Sequence, residues 1–416
     1  MPGPVTYFDP ATLDSLDERT RDLVERRAAR MGAAYRLFYE HPLELVRGEG
    51  TRVWDAAGRE YLDAYNNVPS VGHAHPRVTA AIAAQAARIN THTRYLSEAT
   101  VSYAEDLLST FPAHLANVMF TCTGSEANDL ALRIATLVTG GRGVIVTANA
   151  YHGVTTEIAA ISPSLGGMAT LPEWVRVIDP EADLAAGTRG AIASLKAAGI
   201  RPAALIIDTI FASDGVLPDP IGFADAAAAI RAAGGLFIAD EVQAGFGRLG
   251  TGMWGFERHG LEPDIVTLGK PMGNGHPVAA VVARRQLIDE FGRAGRYFNT
   301  FGGNPVSIAA AQATLDVVRD EALIENSRVV GEHLSAGLRG IGSSEIAEVR
   351  GVGLYLGVRL ADGADRTVEV VNALRERGVL LAASGPANDV LKVRPPLVFS
   401  TADADRLISE LAAILR

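Results

Sequence analysis

Gly235-Leu236-Phe237-Ile238-Ala239-Asp240-Glu241-Val242-Gln243 opens as an apolar run and ends abruptly in two carboxylates. Further along, Pro263-Asp264-Ile265-Val266-Thr267-Leu268-Gly269-Lys270 repeats the pattern and ends in a lysine. Short apolar runs bounded by turn residues read as buried parallel strands. Each delivers a charged group at its C-terminal end, the edge at which open α/β sheets bind ligands. An acid and a lysine converging there suit a Schiff-base lysine with a carboxylate that tunes a bound cofactor. Taken alone, such a pair reads more readily as a helix cap and a solvated surface charge.

Outward from this pair, further strands end in groups of chemical interest. Val118-Met119-Phe120-Thr121 runs through Cys122-Thr123-Gly124-Ser125-Glu126 into a helix with Ala127, Leu130, Ala131, Ile134, Leu137 and Val138 on one face. A Gly-Ser turn at a helix start presents free amide N–H groups and the positive end of the dipole, which suits a phosphate and equally suits ordinary capping. Gly143–Thr147 is another strand, followed by Tyr151 and His152. Ala203–Asp208 is a further buried strand ending in an acid, and Ser162 to Trp174 reads as a loop. Gly245-Phe246-Gly247-Arg248-Leu249-Gly250 matches the spacing of a dinucleotide-binding loop, but no helix follows it, so nicotinamide binding is set aside. His73 and His75 lack a third nearby ligand and are not read as a metal site. Val53–Asp55 and Arg59–Asp63 read as a hairpin, Gly351–Val358 as one strand, and Thr367–Arg377 as a helix.

The chain has 416 residues, too many for one ordinary core. Its formal charge of -10 argues against a nucleic-acid partner, which would want a basic face. A single cysteine, Cys122, excludes an internal disulfide framework and fits a reducing cytoplasm. No leader-like segment and no apolar run of membrane-spanning length stands out, so a cytoplasmic protein without membrane partners is expected.

The words Asp240-Glu241-Val242-Gln243-Ala244-Gly245-Phe246-Gly247-Arg248 and Pro263 to Lys270 resemble those of the class III aminotransferases, pyridoxal-phosphate enzymes of fold type I. The resemblance extends over nearly the whole chain. It implies an α/β fold: a large domain with a mostly parallel seven-stranded sheet, plus a small α/β domain. The expected division is 1–65, an N-terminal segment joining the small domain; 66–310, the large cofactor-binding domain; and 311–416, the C-terminal small domain. It implies pyridoxal 5'-phosphate on Lys270, with Asp240 at the pyridine nitrogen and Gln243 at the phenolic oxygen. Gly124 and Ser125 would cup the phosphate, Tyr151 would stack on the ring with His152 beside it, and Val242 would line the cofactor. Thr300 would reach the cofactor phosphate of a neighbouring subunit, which makes a homodimer with shared active sites, or a tetramer built from it.

Substrate recognition departs from the family pattern. Where relatives carry a glutamate, this chain has Asp208. Three positions before Pro395-Pro396, where relatives acting on α-amino acids carry a carboxylate-gripping arginine, it has Lys392. A lysine supplies charge without the bidentate fork. Strand alternation leaves open whether Arg394 points the same way. Asn66-Asn67-Val68, Asn90 to Leu96 and Lys392-Val393-Arg394-Pro395-Pro396 are similar to the branch containing ethanolamine-phosphate and phosphohydroxylysine phospho-lyases. There Arg94, Lys392 and Arg394 would form a basic pocket. The resemblance thus implies an aminotransferase acting on an amine and a keto acid, with a phospho-lyase as the alternative and a catalytically inactive homologue as a remote one.

Overall fold

The computed structural model describes residues 7–166 and 171–415. Its centre is a seven-stranded sheet ordered Asn117–Thr121, Ala279–Ala283, Ile265–Leu268, Leu236–Asp240, Pro202–Asp208, Gly143–Thr147 and Val175–Ile178. Six strands run parallel, and Ala279–Ala283 runs antiparallel to both of its neighbours. Most of these strands are buried on both faces, which explains why they read as continuous apolar runs rather than alternating ones. Register then gathers the chemistry. Asp208 lies opposite Asp240, and Asp240 opposite Thr267, so three polar strand ends share one edge.

The helix Gly124–Thr139 starts at that edge. Thr123 and Glu126 close a capping box, and Ala127, Leu130, Ala131, Ile134 and Ala135 are buried. Leu137, expected on this face, is 41% exposed at the margin of the stripe, and Ala135 takes the inner position. At the opposite edge of the sheet, Asp264 accepts hydrogen bonds from Phe237 N at 2.9 Å, Arg231 Nε at 3.0 Å and Arg284 Nε at 3.0 Å. It ties the starts of two central strands together.

Two smaller sheets flank this unit. Leu45–Glu49, Arg52–Asp55 and Glu60–Asp63 form an antiparallel meander, extended in parallel by Val379–Leu380 from far along the chain. The other contains Ile346–Val352, Tyr355–Leu360, Val390–Val393 and Ala382–Ser384. Gly351–Val358, read as one strand, is instead the turn region of a hairpin. Gly353 takes φ +57°, and a Cβ there would lie 2.4 Å from the Leu249 carbonyl carbon, so the chain can reverse only at a glycine. Gly250 shows the same constraint. A side chain there would meet the backbone of Arg328 at 2.6 Å, so this part of the Gly245–Gly250 run serves helix packing. Within the Ser162–Trp174 stretch, Pro163–Leu165 is a single 3-10 turn, while 167–170 lies outside the described residues. His73 lies 2.6 Å from Asp63 Oδ2. Among the described residues no helix is long and apolar enough to cross a membrane.

Asp264→Ala should lower the unfolding midpoint of the apoprotein. Leaving the Phe237 N–H buried without an acceptor costs about 1–3 kcal/mol, and the two arginines can rehydrate. Thermal unfolding at fixed protein concentration measures it; an unchanged midpoint would remove this clamp from the account.

Candidate active site

Asp240 is buried, and both of its oxygens are committed. Oδ1 accepts the Val242 N–H at 3.0 Å; Oδ2 accepts Asn128 Nδ2 at 2.9 Å and lies 2.8 Å from His152 Nδ1. A carboxylate only accepts, so the imidazole donates from Nδ1. Asn128 is itself fixed: it donates to the His152 carbonyl at 2.7 Å and accepts from Thr267 Oγ1 at 2.6 Å. The result is a carboxylate of fixed orientation, with His152 Nε2 buried and unpartnered among the described residues. Sequence reading found Asp240 and His152 but missed Asn128 and Thr267. Their signals were present: a polar residue on the buried face of a helix, and a threonine inside an apolar strand. Glu241 turns the other way, where it holds Thr209 Oγ1 and the N–H groups of Gly255 and Phe256.

Lys270 lies just beyond the strand Ile265–Leu268, at the start of a 3-10 turn. Its pKa is pushed down to about 8, first by burial and then by the positive charge of Arg394, with Asp240 and Asp208 pulling the other way. Close packing joins the neighbouring backbone. A Cβ on Gly124 would lie 3.0 Å from a Val242 methyl, and one on Gly269 would lie 3.3 Å from Gly124 Cα. At the helix start, the Glu126 carboxylate takes the N–H groups of Cys122 at 2.8 Å and Thr123 at 2.9 Å. The amides of Gly124 and Ser125 have no acceptor among the described residues. They lie at the positive end of the dipole. Tyr151 is 38% exposed, two residues before Gly153, whose neighbour Val154 donates its N–H to Ser125 Oγ at 3.1 Å. A buried carboxylate, a lysine with a depressed pKa and a helix start with free amides fit pyridoxal phosphate.

The other wall comes from the small sheet. Lys392 lies in the strand Val390–Val393 and Arg394 just beyond its end; both are buried, and the positive charge of Arg394 acts on Lys392. Arg394 donates to Gln243 Oε1 at 2.7 Å, and its guanidinium lies 4.4 Å from the Tyr65 ring centroid. Asn67 Nδ2 reaches the same Gln243 oxygen at 2.8 Å, so the Gln243 amide nitrogen is turned outward as a donor. Lys392 has no hydrogen bond to the described residues, and burial, then Arg394, hold its pKa well below the usual lysine value. Asp208 is pushed up to about 6 by burial and by Asp240. Being a short side chain, it folds back onto its own turn, accepting from Ile210 N at 3.1 Å and Ala212 N at 2.9 Å. Asp214, which the sequence reading did not single out, accepts from Thr147 Oγ1 at 2.6 Å and Asn149 N at 2.8 Å.

The expected basic trio divides. Lys392 and Arg394 come together, whereas Arg94 is exposed and lies 3.8 Å from the Phe298 ring centroid. The cation–π contact holds it on the outer surface of the chain. Thr300 is exposed on the same segment, between Phe298 and Phe301.

Residues 38–415 match the family model described as Aminotransferase class-III. A phospholyase from Arthrobacter, solved in complex with phosphoethanolamine, is 45% identical and superimposes with a TM-score of 0.92, covering 95% of this chain and 99% of that one. The alanine--glyoxylate aminotransferase 2-like protein of Drosophila melanogaster is 38% identical over 93% of this chain and 85% of its own. Ethanolamine-phosphate phospho-lyase homolog 1 of Caenorhabditis elegans is 35% identical over 99% of this chain and 97% of its own.

The electrostatics around Lys270 make a signed prediction. In apoprotein, the pH dependence of pyridoxal-phosphate capture should show half-titration near 8. Arg394→Met should move that midpoint upward, because removing a neighbouring cation favours the ammonium. A midpoint that fell or stayed fixed would show that the Arg394 charge does not reach the lysine.

Proposed function

Because the chain belongs to the class III aminotransferases and its cofactor is pyridoxal phosphate, we propose that it is a phospho-lyase acting on primary amines that carry a phosphate on the adjacent carbon. The net reaction for phosphoethanolamine takes one water and yields acetaldehyde, ammonia and inorganic phosphate. When bound, the cofactor supplies a conjugated ring that accepts the electrons of a cleaved C–H bond. The roles proposed for the chain's residues rest on the family resemblance together with the arrangement of the site. Lys270 binds the cofactor aldehyde and moves the proton of the substrate carbon. Asp240, oriented by Asn128 and His152, keeps a proton on the ring nitrogen. Gly124 and Ser125 hold the cofactor phosphate, Val242 and Tyr151 bracket the ring, and Gln243 donates to the phenolic oxygen.

One observation carries the choice of reaction. Lys392 and Arg394 are buried, and the charges of Lys270, Asp208 and Asp214 reach Lys392, while the oxygens of both acids already accept other hydrogen bonds. A doubly charged substrate group would balance this wall. A carboxylate would instead favour an arginine fork at position 392. Similarity to the phosphoethanolamine-bound phospholyase supports the same reading. Transamination is the second reading, supported by the aminotransferase relatives, because the same lysine and acid serve both reactions.

We assign Arg94 and Thr300 to the active site of a neighbouring subunit in a homodimer. The exposed Tyr95, Leu96, Phe298 and Phe301 around them support that placement. The lone cysteine favours a cytoplasmic location.

Holoenzyme mixed with phosphoethanolamine should release phosphate and acetaldehyde while the cofactor absorbance returns to its starting form. Lys270→Ala should abolish turnover. Stable conversion to the amino form of the cofactor without phosphate would make the enzyme an aminotransferase on that substrate. Alanine and 4-aminobutyrate serve as comparison amines.

A further inference from the structure

If the enzyme expels phosphate, the reaction has a second proton to account for. Lys270 takes one from the substrate carbon. The C–O bond then breaks with its electron pair going to the bridging oxygen, and a phosphate monoester dianion would depart as the strongly basic trianion unless that oxygen is protonated. The groups on the substrate-facing wall differ in their ability to do this. Arg394 does not give up its proton. Burial holds the Tyr355 phenol protonated, well above its usual range. Asp208 and Asp214 already accept two hydrogen bonds each.

Lys392 differs from all of these. It is buried, has no hydrogen bond to the described residues, and stands opposite Gly357 on the strand that carries Tyr355. The charges that act on it come from several elements: Arg394 just past the end of its own strand, Lys270 beyond Ile265–Leu268, Asp208 at the end of Pro202–Asp208, and Asp214 in the loop that follows. Resting on the phospho-lyase reading, we propose that Lys392 is the general acid that protonates the bridging oxygen of the departing phosphate. The ammonium hydrogen-bonds the dianion in the bound state, its proton passes to the oxygen as the C–O bond breaks, and hydrogen phosphate leaves. The neutral amine regains a proton from water once the product has gone. Burial and the neighbouring cations support this by making the ammonium a stronger acid than an ordinary lysine. They also set the sign of its pH dependence: the acid form is lost as pH rises.

Two isosteric substrates test it. Phosphoethanolamine needs a proton on its leaving group, whereas 2-aminoethyl hydrogen sulfate expels sulfate, a very weak base, without one. Single-turnover anion release is measured with wild-type, Lys392→Arg and Lys392→Met holoenzymes, each first shown by cofactor absorbance and unfolding midpoint to be loaded and folded. Arginine keeps the charge but not the acidity. Lys392→Arg should therefore slow phosphate release by about 10²–10⁴-fold while sulfate release changes by less than about tenfold. The alkaline limb of the wild-type phosphate profile should be missing from the sulfate profile. Equal losses for both leaving groups would make Lys392 a charge alone and overturn the proposal. Undiminished phosphate release from both variants would overturn it as well, leaving Lys270 to carry the proton. Wild-type enzyme that releases no phosphate would instead sink the phospho-lyase reading, and the proposal with it.

Discussion

A carboxylate buried at the end of a central strand is tolerable only if every lone pair facing the interior is met by a donor. Asp240 satisfies this requirement through Asn128, His152 and the Val242 N–H, and much of the site follows from it. Asn128 must sit one turn into the helix that begins at Gly124, so the same helix that steadies the acid also presents its free amides at that edge of the sheet. Thr267 must accompany Asn128 on the adjacent strand, and three residues later that chain delivers Lys270. One hydrogen-bond requirement thereby fixes the relative positions of the acid, the amide cup and the lysine.

The opposite wall obeys a different constraint. Lys392, Arg394 and Lys270 bring positive charge together at low solvent exposure, and burial disfavours each charged form. Asp208 and Asp214 offset only part of this, because their oxygens are already turned to backbone and threonine donors. Such an arrangement is stable with an anion present and poised to lose a proton without one. Arg394 is kept in place by Gln243 and Tyr65, which leaves Lys392 as the member of the pair with no hydrogen bond to the described residues.

The central sheet was legible because strands buried on both faces are written as short apolar runs between turn residues. The runs ending at Asp240 and before Lys270 show this most clearly. Gly351–Val358 was misread for the same reason: an apolar stretch carries no mark of a reversal when the turn is built from glycines and a leucine that stays buried. Leu137 was misplaced because helical periodicity gives the centre of a stripe better than its margin. The proposed cofactor residues were named from the family words. Asn128 and Asp214 escaped because a polar side chain identified by its partners cannot be identified before those partners are known. Arg94 was named from the sequence, but its exposure beside Phe298 keeps it apart from Lys392 and Arg394 within one chain.

The departure at position 392 connects these observations. An arginine there would present a planar fork, permanently charged, suited to a carboxylate that stays on the product. A lysine presents one compact charge whose proton can move. In a transamination the fork is the better choice, since the carboxylate is held intact throughout and is never cleaved from the substrate. In a reaction that expels the anion, the group that holds it must also let it go, and a proton delivered to the leaving oxygen does both. On the proposed reading, the choice between transfer and elimination rests, with Lys270 and Asp240 unchanged, on the residue at position 392 in the strand Val390–Val393.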